Sequence, residues 1–263
     1  PARADGLKGW YNSQTHQLVV TASDSDRFGR GVLLHEIFHA LQDQTFNLER
    51  LHLQAQAPDA DYALRALIEG EAMLAVNDLL NYDFAAHAQL PTEGEIGEAT
   101  LEKLYLYGAG LKFVRALKAV GGWEALDAAF QDPPRSTALI FHPERYLAGE
   151  REVPALPLEP GEEAFVTATP GEYGLWLWLA RSPKSRSLLA TAGEAFQGDK
   201  LVQVETATGQ AQKRWVLQFT DPDVATQVAE VAPAALAVAG EELATAKVTA
   251  NPSDRGGRVE ISW

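Results

Sequence analysis

Apolar residues recur at helical spacing in two stretches near the start of the chain. Val32, Leu33, Ile37, Ala40 and Leu41 mark a helix over about residues 27–43, which Ser25 or Asp26 can cap. After a loop that contains Pro58 and reaches back past His52, Asp59 can cap a second helix running to Leu80. Its apolar positions are Leu64, Leu67, Ile68, Ala72, Ala75 and Val76. Ahead of both, Trp10-Tyr11 and residues 17–21 flank the polar run Asn12-Ser13-Gln14-Thr15, which reads as a β-hairpin. A third helical pattern covers residues 98–120, and a shorter one follows Gly121-Gly122 and stops before Pro133-Pro134.

Half of the 14 prolines then fall between Pro133 and Pro170, which disfavours regular structure and marks residues 150–170 as a linker. Beyond it, residues 175–180 and 187–192 read as helical, and 201–205, 215–219 and 258–263 as strands. Asp221 can cap a further helix through about residue 237. The expected fold class is α+β, with one region over residues 1–153 and a smaller mixed α+β accessory region over 160–263 packed on it.

Composition narrows the chemistry. The 263 residues carry a formal charge of −14 without a Lys/Arg-rich block, which argues against nucleic acid as a partner. The absence of cysteine excludes disulfides, iron–sulfur clusters, thiolate metal sites and a cysteine nucleophile. Any metal must be held by His, Asp or Glu. The most apolar stretch, residues 228–240, is too short to span a bilayer and contains Glu230 and Pro233. The chain begins at Pro1, which leaves room for a removed signal segment and tilts the expected location to outside the cytoplasm. Oligomeric state is left open.

Within the first helix, residues 35–39 read His35-Glu36-Ile37-Phe38-His39. Residues i and i+4 share a helical face, so both imidazoles can point at one metal ion, while Glu36, offset by one residue, can reach a water on that ion. Chance produces this pattern in roughly one chain per hundred of this composition. The flanking Gly31-Val32-Leu33-Leu34 and Ala40-Leu41 suit a helix buried beneath a cleft. A third protein ligand is still required. His52 lies in the loop, and neither His16 nor His87 has a helical context that aims it at the site. The second helix offers Ile68-Glu69-Gly70-Glu71-Ala72. Glu69 and Glu71 are about 200° apart around the helix, so only one can face the ion. Gly70 favours Glu69, because a glycine beside the ligand lets the two helices approach closely. Pairing of Arg65 with Glu69 at i, i+4 is the competing explanation for that carboxylate.

The run from Leu34 to Gln44 followed by Ala66-Leu67-Ile68-Glu69-Gly70-Glu71-Ala72 resembles the gluzincin metallopeptidases. It is closer still to a family of uncharacterised bacterial zincin-like proteins, through Tyr107-Gly108-Ala109-Gly110, Gly121-Gly122, Pro133-Pro134-Arg135-Ser136-Thr137 and His142-Pro143-Glu144-Arg145-Tyr146. The resemblance covers residues 9–150 well and the remainder weakly. It implies a zincin-like catalytic region that cleaves a peptide or protein substrate, with Zn2+ on His35, His39 and Glu69 and with Glu36 passing the water's proton to the leaving amine. Thermolysin-like relatives carry an Asp four residues after the ligand Glu to orient a histidine; here that position is Met73, so the outer partners of the ligands are unassigned. Zincins also place a His or Tyr near the developing oxyanion. His142 is the first candidate, with Tyr146 and Tyr107 behind it. The alternative reading is a zincin-fold binding protein with a structural or vestigial metal.

Overall fold

The computed structural model describes residues 9–20, 27–81, 90–159, 164–205, 209–239, 246–253 and 256–263. The proposed caps Ser25 and Asp26, and His87, lie outside them. The chain is mixed α+β, and among the described residues no helix is long and apolar enough to cross a membrane.

The hairpin forms as expected: β1 (Gly9–Asn12) pairs antiparallel with β2 (Gln17–Val20). Its turn is held by the Asn12 carboxamide, which accepts from the backbone N–H groups of Gln14 and Thr15. The first helix, α1 (Arg27–Phe46), is present, but its most deeply buried side is polar. Glu36, His39, Gln42 and Asp43 are buried, whereas Ile37 and Leu41 are 39% and 50% exposed. The apolar flanks expected to lie inward are covered only in part: Gly31 is buried and Val32, Leu33, Leu34 and Ala40 are half-buried, while Leu41 faces outward. Each inward polar group has a partner, and that makes its burial tolerable.

Asn47, in the left-handed region at φ 59°, ends α1 and caps α2 (Leu48–Gln54), so the stretch read as loop around His52 is a short helix. Helix α3 (Pro58–Leu80) starts with Pro58 in its first turn. Asp59 does not cap it. Its carboxylate is buried, accepting from the Thr137 backbone N–H at 2.9 Å and from the Thr137 hydroxyl. Along its middle α3 is buried all round, packed against α1 and against α5 (Gly110–Gln131). The third helical pattern divides into α4 (Glu98–Lys103), a π-helical turn (Leu104–Ala109) and α5, which breaks at Gly121-Gly122, where Gly122 has φ 67°. Short helices α6 (Thr137–Phe141) and α7 (Pro143–Leu147) follow.

Gly70 serves a different interface from the one expected. A Cβ placed there would lie 2.4 Å from the Gly110 carbonyl group, and one on Gly110 would lie 2.2 Å from the Ala66 carbonyl oxygen. It is α3 and α5, rather than α3 and α1, that touch backbone to backbone.

In the C-terminal part, strands β3 (Ala164–Ala168), β4 (Phe196–Glu205), β5 (Ala211–Phe219), β6 (Lys247–Ser253) and β7 (Gly256–Ser262) form one antiparallel sheet in the order β3-β4-β5-β7-β6. The sequence left β6 unread and placed β3 inside the linker. Residues 151–159 are irregular but bonded on both sides, through Arg135 N–H to the Arg151 carbonyl and Leu156 N–H to the Asp199 carbonyl. Helices α8 (Gly171–Arg181) and α9 (Leu189–Ala195) lie between β3 and β4, and the sheet packs on α10 (Pro222–Ala239), in whose first turn Asp223 N–H donates to the Asp221 carboxylate as expected of a cap.

Helix α8 (Gly171–Arg181) joins two cores. Tyr173, Trp176 and Leu177 pack with the α3/α5 helices, and Leu175, Trp178 and Leu179 pack with the sheet and α10. This accounts for the tryptophan pair as packing residues. At the start of α8, Gly171 N–H donates to both oxygens of buried Asp199, which also accepts from Trp215 Nε1 at 2.7 Å. Gly171 has φ 70°, and a Cβ there would sit 1.9 Å from Asp59 Oδ1, so only glycine fits.

Two stability predictions follow from these contacts. Gly70→Ala should lower stability by about 1–3 kcal/mol or more, because backbone rather than a flexible side chain stands in the way; a melting temperature equal to wild type would contradict the close contact. Burial pushes Asp199 up to about 7, the hydrogen bond from Trp215 only partly offsetting it. An acid raised above its unfolded value of about 3.9 adds stability that is complete below that value and lost as pH rises through about 7. The melting temperature should therefore contain a component that declines across that window, and Asp199→Asn should flatten it relative to wild type.

Candidate metal centre

His35 and His39 stand one turn apart on the inward side of α1, with ring centroids 4.5 Å apart and planes at 83°. The crossing of α3 beneath them brings in Glu69. The Nε2 atoms lie 3.0 Å apart, and Glu69 Oε2 is 3.0 Å from His35 Nε2 and 3.4 Å from His39 Nε2. A tetrahedral ion with bonds of about 2.0–2.1 Å requires neighbouring ligand atoms about 3.3 Å apart, so this triangle has the size of one face of such a shell. Among the described residues it is the only group of His, Asp or Glu side chains so arranged. The three residues thus could hold a metal ion. Burial alone would raise the Glu69 carboxyl, but hydrogen bonds from the two imidazoles and their charge outweigh it and hold Glu69 well below the ordinary carboxylate range.

Arg65 does not compete for Glu69; it pairs with Glu102 at 2.8 Å. Glu71 points elsewhere and accepts from Gln42 Nε2 at 2.8 Å. Burial pushes Glu71 up to about 7 against the pull of that hydrogen bond. Gln42 also meets His39 Nδ1 through its own Oε1, at 2.8 Å.

Glu36 lies beside the triad and is buried. Burial raises its carboxyl and Glu69 adds to the rise, while His39, His35 and the Tyr11 backbone N–H favour the charged form; the net shift is upward. The hairpin supplies that N–H. It can lie this close because Gly9 has no side chain: a Cβ would fall 2.9 Å from Val32 Cγ1 and 3.0 Å from Glu36 Cγ. The Tyr11 hydroxyl donates to Asp43 Oδ2 at 2.8 Å, and desolvation, joined by the bond to that carboxylate and its charge, pushes the phenol up to about 12.

The three candidate oxyanion donors separate in space. Tyr107 stands on the π-helical turn with its ring edge-on to His35, centroids 5.9 Å apart. Burial, with the charges of Glu69 and Glu36, holds its hydroxyl protonated far beyond neutral pH. His142 belongs to another cluster: at the α6–α7 junction its Nε2 pairs with buried Glu172 at 3.0 Å, on α8. Tyr146 is a packing residue, its hydroxyl donating to the Asp132 carbonyl at 2.7 Å and its ring set against Phe113 and beneath Arg151. The structure thus corrects the order expected from sequence, leaving Tyr107 as the one of the three beside the ligands. His16 contacts Asp43 at 3.1 Å and His52 contacts Asp61 at 2.8 Å, neither joining the triad.

No family model, curated protein or solved structure matches this chain.

Two residues of the centre were missed in the sequence. Gln42 carries a usable signal, since it lies three residues after His39 on the same face. Tyr11 carries none: its part is played by a backbone N–H far away in the chain.

Elemental analysis after incubation with zinc and dialysis should find about one ion per chain. Glu69→Gln should lose most of that affinity and Glu71→Gln little of it. The reverse ranking would move the third ligand to Glu71.

Proposed function

We propose that this chain is a gluzincin-type zinc metallopeptidase, related to the bacterial zincin-like proteins that its motifs resemble. The observation that carries the reading is the convergence of His35, His39 and Glu69 with Glu36 beside them. Two imidazoles and one carboxylate, in a chain without thiolates, suit zinc with one coordination position open to water. Bound there, zinc would supply Lewis acidity toward the attacking water and the scissile carbonyl.

The remaining steps belong to side chains of this protein. Glu36 takes the proton from the attacking water and delivers it to the leaving amine. The hydrogen bond from Tyr11 N–H favours the charged carboxylate, and the net upward shift from burial makes it a better proton acceptor than an exposed glutamate. Tyr107, kept protonated by its surroundings, donates to the carbonyl oxygen as negative charge builds on it. A general base beside an open metal position is of no use to a purely structural site, which favours the enzyme over the binding protein.

Glu36→Gln should fold and bind zinc like wild type but fail to cleave an unfolded protein substrate. Tyr107→Phe should keep zinc and lose about 100- to 1,000-fold in turnover. Zinc-loaded wild-type protein that cuts no unfolded substrate or peptide library would overturn the peptidase reading in favour of a binding protein.

A further inference from the structure

The two histidines of the triad are supported differently. Among the described residues His35 Nδ1 is buried without a hydrogen-bond partner. His39 Nδ1 instead meets an amide whose every polar atom is engaged: Gln42 Oε1 faces the ring nitrogen at 2.8 Å, and Gln42 Nε2 faces the Ile68 carbonyl at 3.0 Å and Glu71 Oε2 at 2.8 Å. Gln42 is 2% and Glu71 3% exposed, so water does not compete for these bonds.

A carboxamide has two faces of opposite character, and the direction in which it lies decides what it demands of its neighbours. The Ile68 carbonyl can only accept, and so can the Glu71 carboxylate once ionised, so both bind the NH2 end. Gln42 Oε1 is then turned to His39, and an oxygen there requires the proton of a neutral imidazole to sit on Nδ1. In that neutral ring Nε2 carries the lone pair and is the atom turned to Glu69 and His35, whereas in the charged ring it donates to Glu69. With the amide reversed, two acceptors would confront Oε1, the NH2 group would demand a lone pair on Nδ1, and the ring proton would move to Nε2, where it blocks coordination.

We infer that Gln42 and Glu71 are positioning residues that fix the tautomer of His39, with Glu71 acting on the imidazole only through the orientation of the Gln42 amide. The role depends on the metal-centre reading for its purpose but not for its test. Glu71 sits two residues after Glu69, and the accepting carbonyl belongs to Ile68, the residue before it. The stretch of α3 that presents the carboxylate ligand therefore also orients a histidine ligand on α1, and the two sides of the centre are set by one crossing.

The test has two readouts besides activity. In metal-free protein labelled with 15N-histidine, at about pH 9 where an imidazole is ordinarily neutral, long-range 1H–15N spectra distinguish the two tautomers. Wild type should show His39 protonated at Nδ1. Gln42→Leu and Glu71→Leu should both populate the Nε2-protonated form and weaken zinc binding, measured by chelator competition, by about 10- to 100-fold. Glu71→Gln can still offer a carbonyl oxygen to Gln42 and should restore both readouts. The double variant Gln42→Leu/Glu71→Leu should be no worse than Gln42→Leu, because Glu71 has no other route to the ring. Should Glu71→Leu fail to fold, Glu71→Met and Gln42→Met carry the same expectation. The inference is overturned if His39 keeps the wild-type tautomer in folded variants of either position, or if the losses from the two positions simply add. A protein that shows the tautomer shifts yet binds no zinc would sustain the positioning role and sink the metallopeptidase reading.

Discussion

A helix that turns its histidines, glutamate, glutamine and aspartate inward is stable only if each of those groups finds a partner, and that requirement on α1 governs the arrangement of everything around it. Glu36 is met by the backbone of β1, Asp43 by Tyr11 and by the N–H that opens α2, Gln42 by α3, and the two imidazoles by Glu69. An unpartnered charge or amide in any of these positions would cost several kcal/mol. The hairpin, α2 and α3 are thus held in place by polar contacts to a single helix. The apolar side chains Ile37 and Leu41 of the same helix are left facing outward.

Helix α3 can serve α1 in this way because its opposite side is anchored by shape. At Gly70 and Gly110 the backbones of α3 and α5 are in contact, leaving no room for a methyl group on either. The π-helical turn leading into α5 lies next to that contact and carries Tyr107 towards His35. A wider turn of this kind changes the direction of the side chains around it relative to a regular helix, and such turns recur at functional sites. The same glycine contact thus bears on the placing of Glu69 and of Tyr107.

Buried carboxylates are used in two distinct ways. In the metal centre, Glu69 is held in its charged form by the imidazoles. Where α8 joins the two cores, Asp59, Glu172 and Asp199 are all shifted upward by burial; Asp59 is met by Thr137, Asp199 by Gly171 and Trp215, and Glu172 by His142 at Oε1 only, its Oε2 being buried without a partner among the described residues. His142 belongs to this second group, as a clamp between α6 and α8. Its place before Pro143 reflects the geometry of that junction.

The sequence by itself determined the elements whose signals are local. The i, i+4 histidines with Glu36 between them, the 200° separation of Glu69 from Glu71, the hairpin around Asn12, the break at Gly121-Gly122 and the Asp221 cap all depend on residues a few positions apart. Hydrophobic periodicity misjudged which face of α1 is buried, because the polar face is buried through partners from distant parts of the chain. It also could not tell which helix Gly70 approaches, since a glycine shows that room is needed but not which neighbour fills it. Local sequence ranked His142 ahead of Tyr146 and Tyr107 as possible donors, whereas the tertiary structure pairs the first with Glu172 and the second with Asp132, and sets the third against His35. Strand β3 was hidden among prolines because its pairing with β4 is a long-range hydrogen-bond pattern with little local signal. Spacing along one helix is dictated by the covalent chain, whereas a contact between elements depends on how they pack, and only the folded structure decides that.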